Sequence, residues 1–384
     1  MFDVIIVGAG LVGASLALAL RASGLRLALV ENHAPPSAEE TGWDNRVYAI
    51  SPGAAAFLES CGVWRNLDSQ RVTQILGMQV YGDDGSSHLD FSAYDCGLPE
   101  LAFIVENRLL QRSLWRELAA QENLKLFCPA QCSALERAPG HIALRLEDGT
   151  GLESRLVVGA DGGDSRVREQ AGIAVKCHQY GQLGVVANFE TEQPHRNIAF
   201  QWFRDDGVLA YLPLPGNRIS IVWSTAEDNA KRLLALPLAE FCSQAASAGQ
   251  HVLGALRLIT TPAAFPLKFL RVEHMVSPRL ALIGDAAHVV HPLAGQGVNL
   301  GFQDARVLAE TLLNRGVQSD CGDYRLLRRF ERGRKEDILA MQLTTHGLQQ
   351  LFGLPWFSGL RNFGLRLTNS LPPIKSILVQ RALN

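Results

Sequence analysis

Residues 2–31 read FDVIIVGAGLVGASLALALRASGLRLALVE, and this stretch decides the fold. Phe2 to Val7 is an apolar run of strand length that breaks on glycines. From about Val12 to Ser23 the apolar residues fall into helical order, and a second strand then ends at Glu31. Strand, glycine turn, helix and strand make one βαβ unit, which requires a parallel sheet.

The glycines of the turn are Gly8, Gly10 and Gly13 in the order G-x-G-x-x-G. Gly8 suits the tight turn, Gly10 lets a pyrophosphate approach the backbone, and Gly13 lets helix and sheet pack. The helix N-terminus attracts the phosphates. Glu31 lies eighteen residues past Gly13, where a carboxylate accepts hydrogen bonds from both ribose hydroxyls and repels a 2′-phosphate. This motif alone leaves NAD against FAD open.

Outward from that unit, Asn107 to Gln121 sets Leu110, Leu114 and Leu118 on one helical stripe, followed by the strand LKLFC. Ile142 to Asp161 alternates around Asp148-Gly149, a small antiparallel ribbon leading into a buried strand. Gly77 to Phe91 and Gly184 to Trp223 have another character, with strands joined by DDG and PGN turns. They predict a separate antiparallel-sheet domain interleaved with the α/β one. Leu300 to Arg315 reads as a helix, and the last forty residues as helical and basic.

The 384 residues, 47% apolar and 19% charged, suffice for two or three folded domains. A formal net charge of −2, without a basic run interleaved with aromatics, excludes a nucleic-acid partner. Seven scattered cysteines read as reduced, mostly buried thiols of a cytoplasmic protein. Val4 to Leu20 is nearly long enough to span a bilayer, but Asp3 precedes it and functional glycines punctuate it.

Two further motifs carry chemistry. GADGGDSRVR, Gly159 to Arg168, follows a buried strand; its plain structural reading is a turn whose Asp161 caps a helix starting near Ser165. GDAAHVVHPLAGQGVN, Gly284 to Asn299, follows the strand RLALIGD. Asp285 with His288 and His291 has the outline of a metal triad, but no second ligand group stands nearby, so no metal is expected. His288 suits a satisfied structural role. Asp285 suits an acceptor for ribityl hydroxyls, while Gly295 and Gly297 lead into a helix whose first residues, Val298 and Asn299, aim N–H groups at a flavin pyrimidine edge. That partial positive charge favours the reduced, anionic flavin.

The three motifs in this order resemble the class A flavoprotein monooxygenases with the 4-hydroxybenzoate-hydroxylase fold. RVYAISPGA (Arg46 to Ala54), ENRLLQRSL (Glu106 to Leu114) and GDAAHVVHPLAGQGVNLGFQDA are similar to the ubiquinone-biosynthesis hydroxylases within it. The resemblance implies a Rossmann-like FAD-binding domain made of residues 1–72, 98–176 and 268–345, a substrate-binding sheet domain of residues 73–97 and 177–267, and a C-terminal helical segment, 346–384. It implies that Arg46 neutralises the FAD pyrophosphate, that Asn107 is a polar cofactor contact or else a helix cap, and that Asp161 belongs to the cofactor site. Pro292, beside the flavin ring, and His291 before it are the expected catalytic-loop residues.

The implied reaction is FAD-dependent hydroxylation of an aromatic ring, most simply a polyprenylated phenol, through O₂ and a flavin hydroperoxide. NAD(P)H or another electron donor is required, although no second dinucleotide fingerprint appears. A hydroxylase of small soluble aromatic acids and a non-catalytic flavin-binding accessory protein are the alternatives. Trp356, Leu360, Phe363 and Leu367 form a helical stripe opposite Arg361 and Arg366, which suits either packing on the FAD domain or a peripheral membrane contact.

Overall fold

The computed structural model describes residues 1–35, 42–83, 87–290, 297–316 and 319–353, with side chains to residue 341. At the centre of the first sheet, five strands run parallel in the order Leu280–Leu282, Gly151–Gly159, Phe2–Val7, Leu27–Val30 and Leu124–Phe127. Val4, Ile5 and Ile6 are fully buried, as a strand covered on both faces requires. The strand order reverses direction at Phe2–Val7, and such a switch point opens a crevice beyond the carboxyl ends of the strands.

The helix of the opening stretch spans Leu11–Ala19 and stops short of the predicted Ser23. Arg21 and Ser23 donate to carbonyls only three residues back, so the last turn tightens and closes before the left-handed Gly24. The helix Asn107–Ala119 buries Leu110, Leu114 and Leu118, the predicted stripe. The ribbon around Gly149 pairs His141–Leu146 with Gly151–Gly159.

A second, nine-stranded sheet contains both DDG and PGN segments. It is antiparallel except where Ile198–Arg204 runs parallel to Gly77–Tyr81. Phe189, Trp202, Tyr211, Trp223 and Phe241 form its own core, apart from the core around Ile5, Leu16, Leu156 and Leu308. A three-stranded antiparallel sheet, Val47–Ile50, Ala102–Glu106 and Thr73–Ile75, packs against it and was not predicted, because strands of three to five residues show little period.

The helix Gly297–Leu313 crosses Leu11–Ala19 closely enough that a Cβ on Gly301 would stand 2.5 Å from Val12 Cγ2. All seven cysteines are free, but only Cys61, Cys132 and Cys321 are buried. This corrects the expectation of mostly buried thiols: Cys177 stands on the exposed outer half of the strand Val175–Thr191. A last helix spans Tyr324–Gly353, and residues 354–384, with Trp356, Leu360, Phe363 and Leu367, lie outside the described residues. Among the described residues no helix is long and apolar enough to cross a membrane.

Candidate functional site

The three motifs meet because three adjacent parallel strands deliver them. Ala160 N–H donates to Val7 O (2.7 Å), and Ile283 N–H donates to Gly159 O (3.0 Å), so the strand ends are tied edge to edge. They open into a cavity of about 1300 Å³. A single small-molecule site usually occupies roughly 300–1,000 Å³, so this one has room for more than one ligand.

Each glycine of the first turn meets a different surrounding. Gly8 has φ +101°, and a Cβ there would stand 2.3 Å from Ala160 O. A Cβ on Gly13 would stand 2.0 Å from Gly8 O, whereas one on Gly10 would meet nothing within 4 Å. Gly8 and Gly13 are therefore demanded by packing, while Gly10 faces open cavity. No side chain caps the helix at Gly10, leaving its first N–H groups available to an anion. Glu31 accepts from Ala9 N–H (2.7 Å) and His33 N–H (2.9 Å), which fixes its carboxylate beside the turn.

Arg46 enters the cavity from a heavily braced loop. Asp44 accepts from the N–H groups of Arg46 and Arg108 (2.9 and 3.0 Å), and the buried Glu106 accepts from Asp44 N–H (2.7 Å). Arg71 pairs with Glu106 and lies 4.1 Å over the Trp43 ring. Two bonds tie this loop to the second sheet: Asn188 to Asp44 O (2.9 Å) and Asn45 to Thr261 O (2.6 Å). Among the described residues the Arg46 guanidinium has no ion-pair partner; it lies 5.4 Å from the Tyr48 ring centre. Burial pushes the Tyr48 phenol up to about 12, against the pull of Arg46, so the hydroxyl stays protonated. Asn107 borders the cavity and its N–H donates to Arg46 O (2.8 Å). It is the first residue of its helix, with Glu106 at the cap position, so the helix-cap alternative for Asn107 is corrected.

In the second motif Asp161 borders the cavity while its carboxylate accepts from Ser165 Oγ (2.5 Å) and Val167 N–H (3.1 Å). The cap of that helix is Ser165, whose Oγ accepts from Arg168 N–H (3.0 Å), so the reading of Asp161 as the cap is corrected: Asp161 holds the cap residue and one further N–H of the first turn. Arg168, buried, donates to Gly163 O and Ala286 O (both 2.9 Å) and so fastens the second motif to the third.

In the third motif Asp285 lies deep in the molecule yet its side chain is bare, because what it faces is the cavity. Among the described residues it has no hydrogen-bond partner. Burial raises its pKa, and His288, Arg46 and Lys268 pull it back only in part. His288 is turned away: its Nε2 lies 2.6 Å from Asp304 Oδ2. Asp304 also accepts from Gly284 N–H (2.9 Å) and Arg334 Nε (2.7 Å). Burial alone would raise the Asp304 pKa, but His288 and Arg334 hold it below the ordinary value.

Gly297, Val298 and Asn299 open their helix at the cavity wall. The Asn299 side chain itself braces the strand Val47–Ile50, accepting from Ser51 N–H (3.1 Å) and donating to Ala49 O (2.8 Å). His291, Pro292 and Gly295 lie outside the described residues.

The sequence reading missed Asp304, Arg334, Arg168 and Glu106. A signal existed for Asp304: it interrupts the apolar series Leu300, Leu308 at helical spacing, and an acid on a buried stripe demands partners.

The other wall, from the second sheet, is apolar. Of FQWF, Phe200 and Gln201 border the cavity while Trp202 turns into the core; of YLPL, Leu212 borders it while Tyr211 does not. The site thus joins a wall of N–H donors, with the arginines Arg46 and Arg166 and the carboxylates Glu31, Asp44, Asp161, Asp164 and Asp285, to a wall fit for a greasy ring. Among the described residues no His, Cys, Asp or Glu cluster could hold a metal ion.

Residues 1–341 match the FAD binding domain family. The chain is 35% identical over 384 residues to a ubiquinone hydroxylase of Rhodospirillum rubrum, covering 99% of this chain and 89% of that one. It is 34% identical over 377 residues to the 3-demethoxyubiquinol 3-hydroxylase of Escherichia coli, covering 97% and 92%. Its fold is similar to that of PqsL, a probable FAD-dependent monooxygenase from Pseudomonas aeruginosa, with a TM-score of 0.78 at 24% identity over 94% of this chain and 99% of that one.

Proposed function

The chain belongs to the FAD binding domain family, and from that membership we propose that it is an FAD-dependent monooxygenase hydroxylating a polyprenylated phenol of ubiquinone biosynthesis. The observation that carries this reading is one cavity with two unlike walls. The motif wall fits FAD: Gly10 leaves space for the pyrophosphate, Arg46 offers it a cation with no ion-pair partner among the described residues, and Glu31 stands where a ribose would lie. Asp285 would take ribityl hydroxyls, and the helix start at Val298 and Asn299 would face the flavin pyrimidine. Bound FAD, once reduced, supplies the activation of O₂.

The chain's own work is to bind, orient and exclude water, which the apolar sheet wall does. The sheet wall shows no charged side chain among the described residues, where a hydroxylase of small aromatic acids would need a cation for the carboxylate. Membrane contact at the periphery would suit so apolar a substrate, with salt-sensitive binding to anionic vesicles as its measure. The central test supplies holoenzyme with NADPH or NADH, O₂ and a short-chain prenylphenol. The expected product is one oxygen heavier and carries label from isotopic O₂. Retained flavin without any oxygenated product would favour the accessory-protein reading, and faster turnover of hydroxybenzoate the small-acid one.

A further inference from the structure

Across the second sheet one row of side chains runs in register. Gln201 pairs with Ala210, Ala210 with Val222, Val222 with Val186 and Val186 with Ala263. All five border the cavity, and four are small and apolar. Gln201 alone carries hydrogen-bonding atoms. The residue is 6% exposed, yet its carboxamide makes no hydrogen bond to any described residue, and its polar atoms open onto the cavity.

An amide in such a place is satisfied by water while the cavity is wet. When an apolar substrate expels that water, the amide is orphaned unless the substrate brings an oxygen to it. We propose that Gln201 is a positioning residue that holds the hydroxyl of the aromatic substrate against the sheet wall. The inference rests on the hydroxylase reading and deepens it. A ring with an oxygen on the edge facing Gln201 keeps the amide paired; a ring without one, or turned the wrong way, does not. Gln201 therefore selects phenols over other prenylated rings and fixes which edge is left for oxygenation. Selection of this kind is strong because the penalty falls on the protein's own buried group.

The test uses holoenzyme and two probes, 2-prenylphenol and prenylbenzene, which lacks the ring oxygen, with binding read from the perturbed flavin absorbance. Wild type is expected to prefer the phenol by about tenfold, the value of one hydrogen bond. Gln201→Met should bind both probes equally while keeping its full flavin content, and Gln201→Leu, of different shape, should show the same levelling. A purely structural role would change both affinities together and leave their ratio alone. Retention of the full preference in both variants overturns the proposal by itself. Failure of wild type to bind either probe overturns it together with the hydroxylase reading.

Discussion

The loop from Gly284 to Val290 has a face and a back, and an aspartate stands at each, its own Asp285 on the face and Asp304 of the helix Gly297–Leu313 behind it. On the back, Asp304 is fully buried and meets Arg334, His288 and the Gly284 N–H. On the face, Asp285 meets only the cavity and, among the described residues, bonds to nothing. A buried charge whose partners are all present in the chain is structure; a charge that faces a cavity without them is poised for a ligand. The pKa directions agree, with Asp304 held below the ordinary carboxylate value and Asp285 above it.

The largest expected effect tests the back. Asp304→Asn leaves the buried Arg334 with only the exposed Asp337 as counter-ion and should cost roughly 3–5 kcal/mol in the denaturant unfolding of the apoprotein. Because the folded pKa of Asp304 is lowered, its contribution is present above the ordinary carboxylate range and is lost as pH falls through the lowered value. Wild type and variant should therefore converge in acid. A variant as stable as wild type at neutral pH would erase the contrast.

An intermediate effect tests the face. Asp285→Ala and Gly10→Val should each weaken FAD binding, the former by about 1.5–3 kcal/mol, the value of a charge-assisted hydrogen bond. Neither should destabilise the apoprotein, since Asp285 has no described partner and a Cβ on Gly10 meets nothing within 4 Å. Equilibrium titration with FAD measures the first claim and apoprotein melting the second. Stoichiometric flavin in both variants at micromolar protein would remove these residues from the site.

The smallest effect sharpens the comparison. A raised pKa means that ionised Asp285 costs the folded apoprotein stability, a cost absent below its unfolded value and incurred as pH rises through the folded one. Asp285→Asn should make the apoprotein slightly more stable at neutral pH and indistinguishable from wild type in acid. Loss of stability at neutral pH would mean that Asp285 has a structural partner after all.

What was legible in the chain follows the same division. The βαβ unit could be read because Gly8 and Gly13 answer to backbone contacts within one turn, which sequence spacing records directly. Asp285 could be read because a polar residue at a strand end needs no distant partner to be noticed. Asp304 and Arg334 could not be paired, since thirty residues and a second helix separate them. The small sheet was equally hidden, as its strand Ala102–Glu106 finds its neighbours at Val47–Ile50 and Thr73–Ile75, far back in the chain. Gln201 stands in FQWF, a run that reads as plausible pocket lining without singling out the amide, because its exceptional place depends on four strands lying beside its own.

The strand order of the first sheet has a consequence during synthesis. Phe2–Val7 emerges early, but its neighbour Gly151–Gly159 follows about 150 residues later, and Leu280–Leu282 completes that edge later still. At translation speeds of roughly 5–20 residues per second, the first glycine turn waits between about fifteen seconds and a minute before the strand that brings Asp285 exists. For roughly the first half of that interval, until Gly151–Gly159 is made, Val4, Ile5 and Ile6 have no lasting cover on one edge. The nascent chain should therefore lean on chaperones and capture flavin only after release, so that cofactor supply limits the yield of finished protein rather than its rate of elongation.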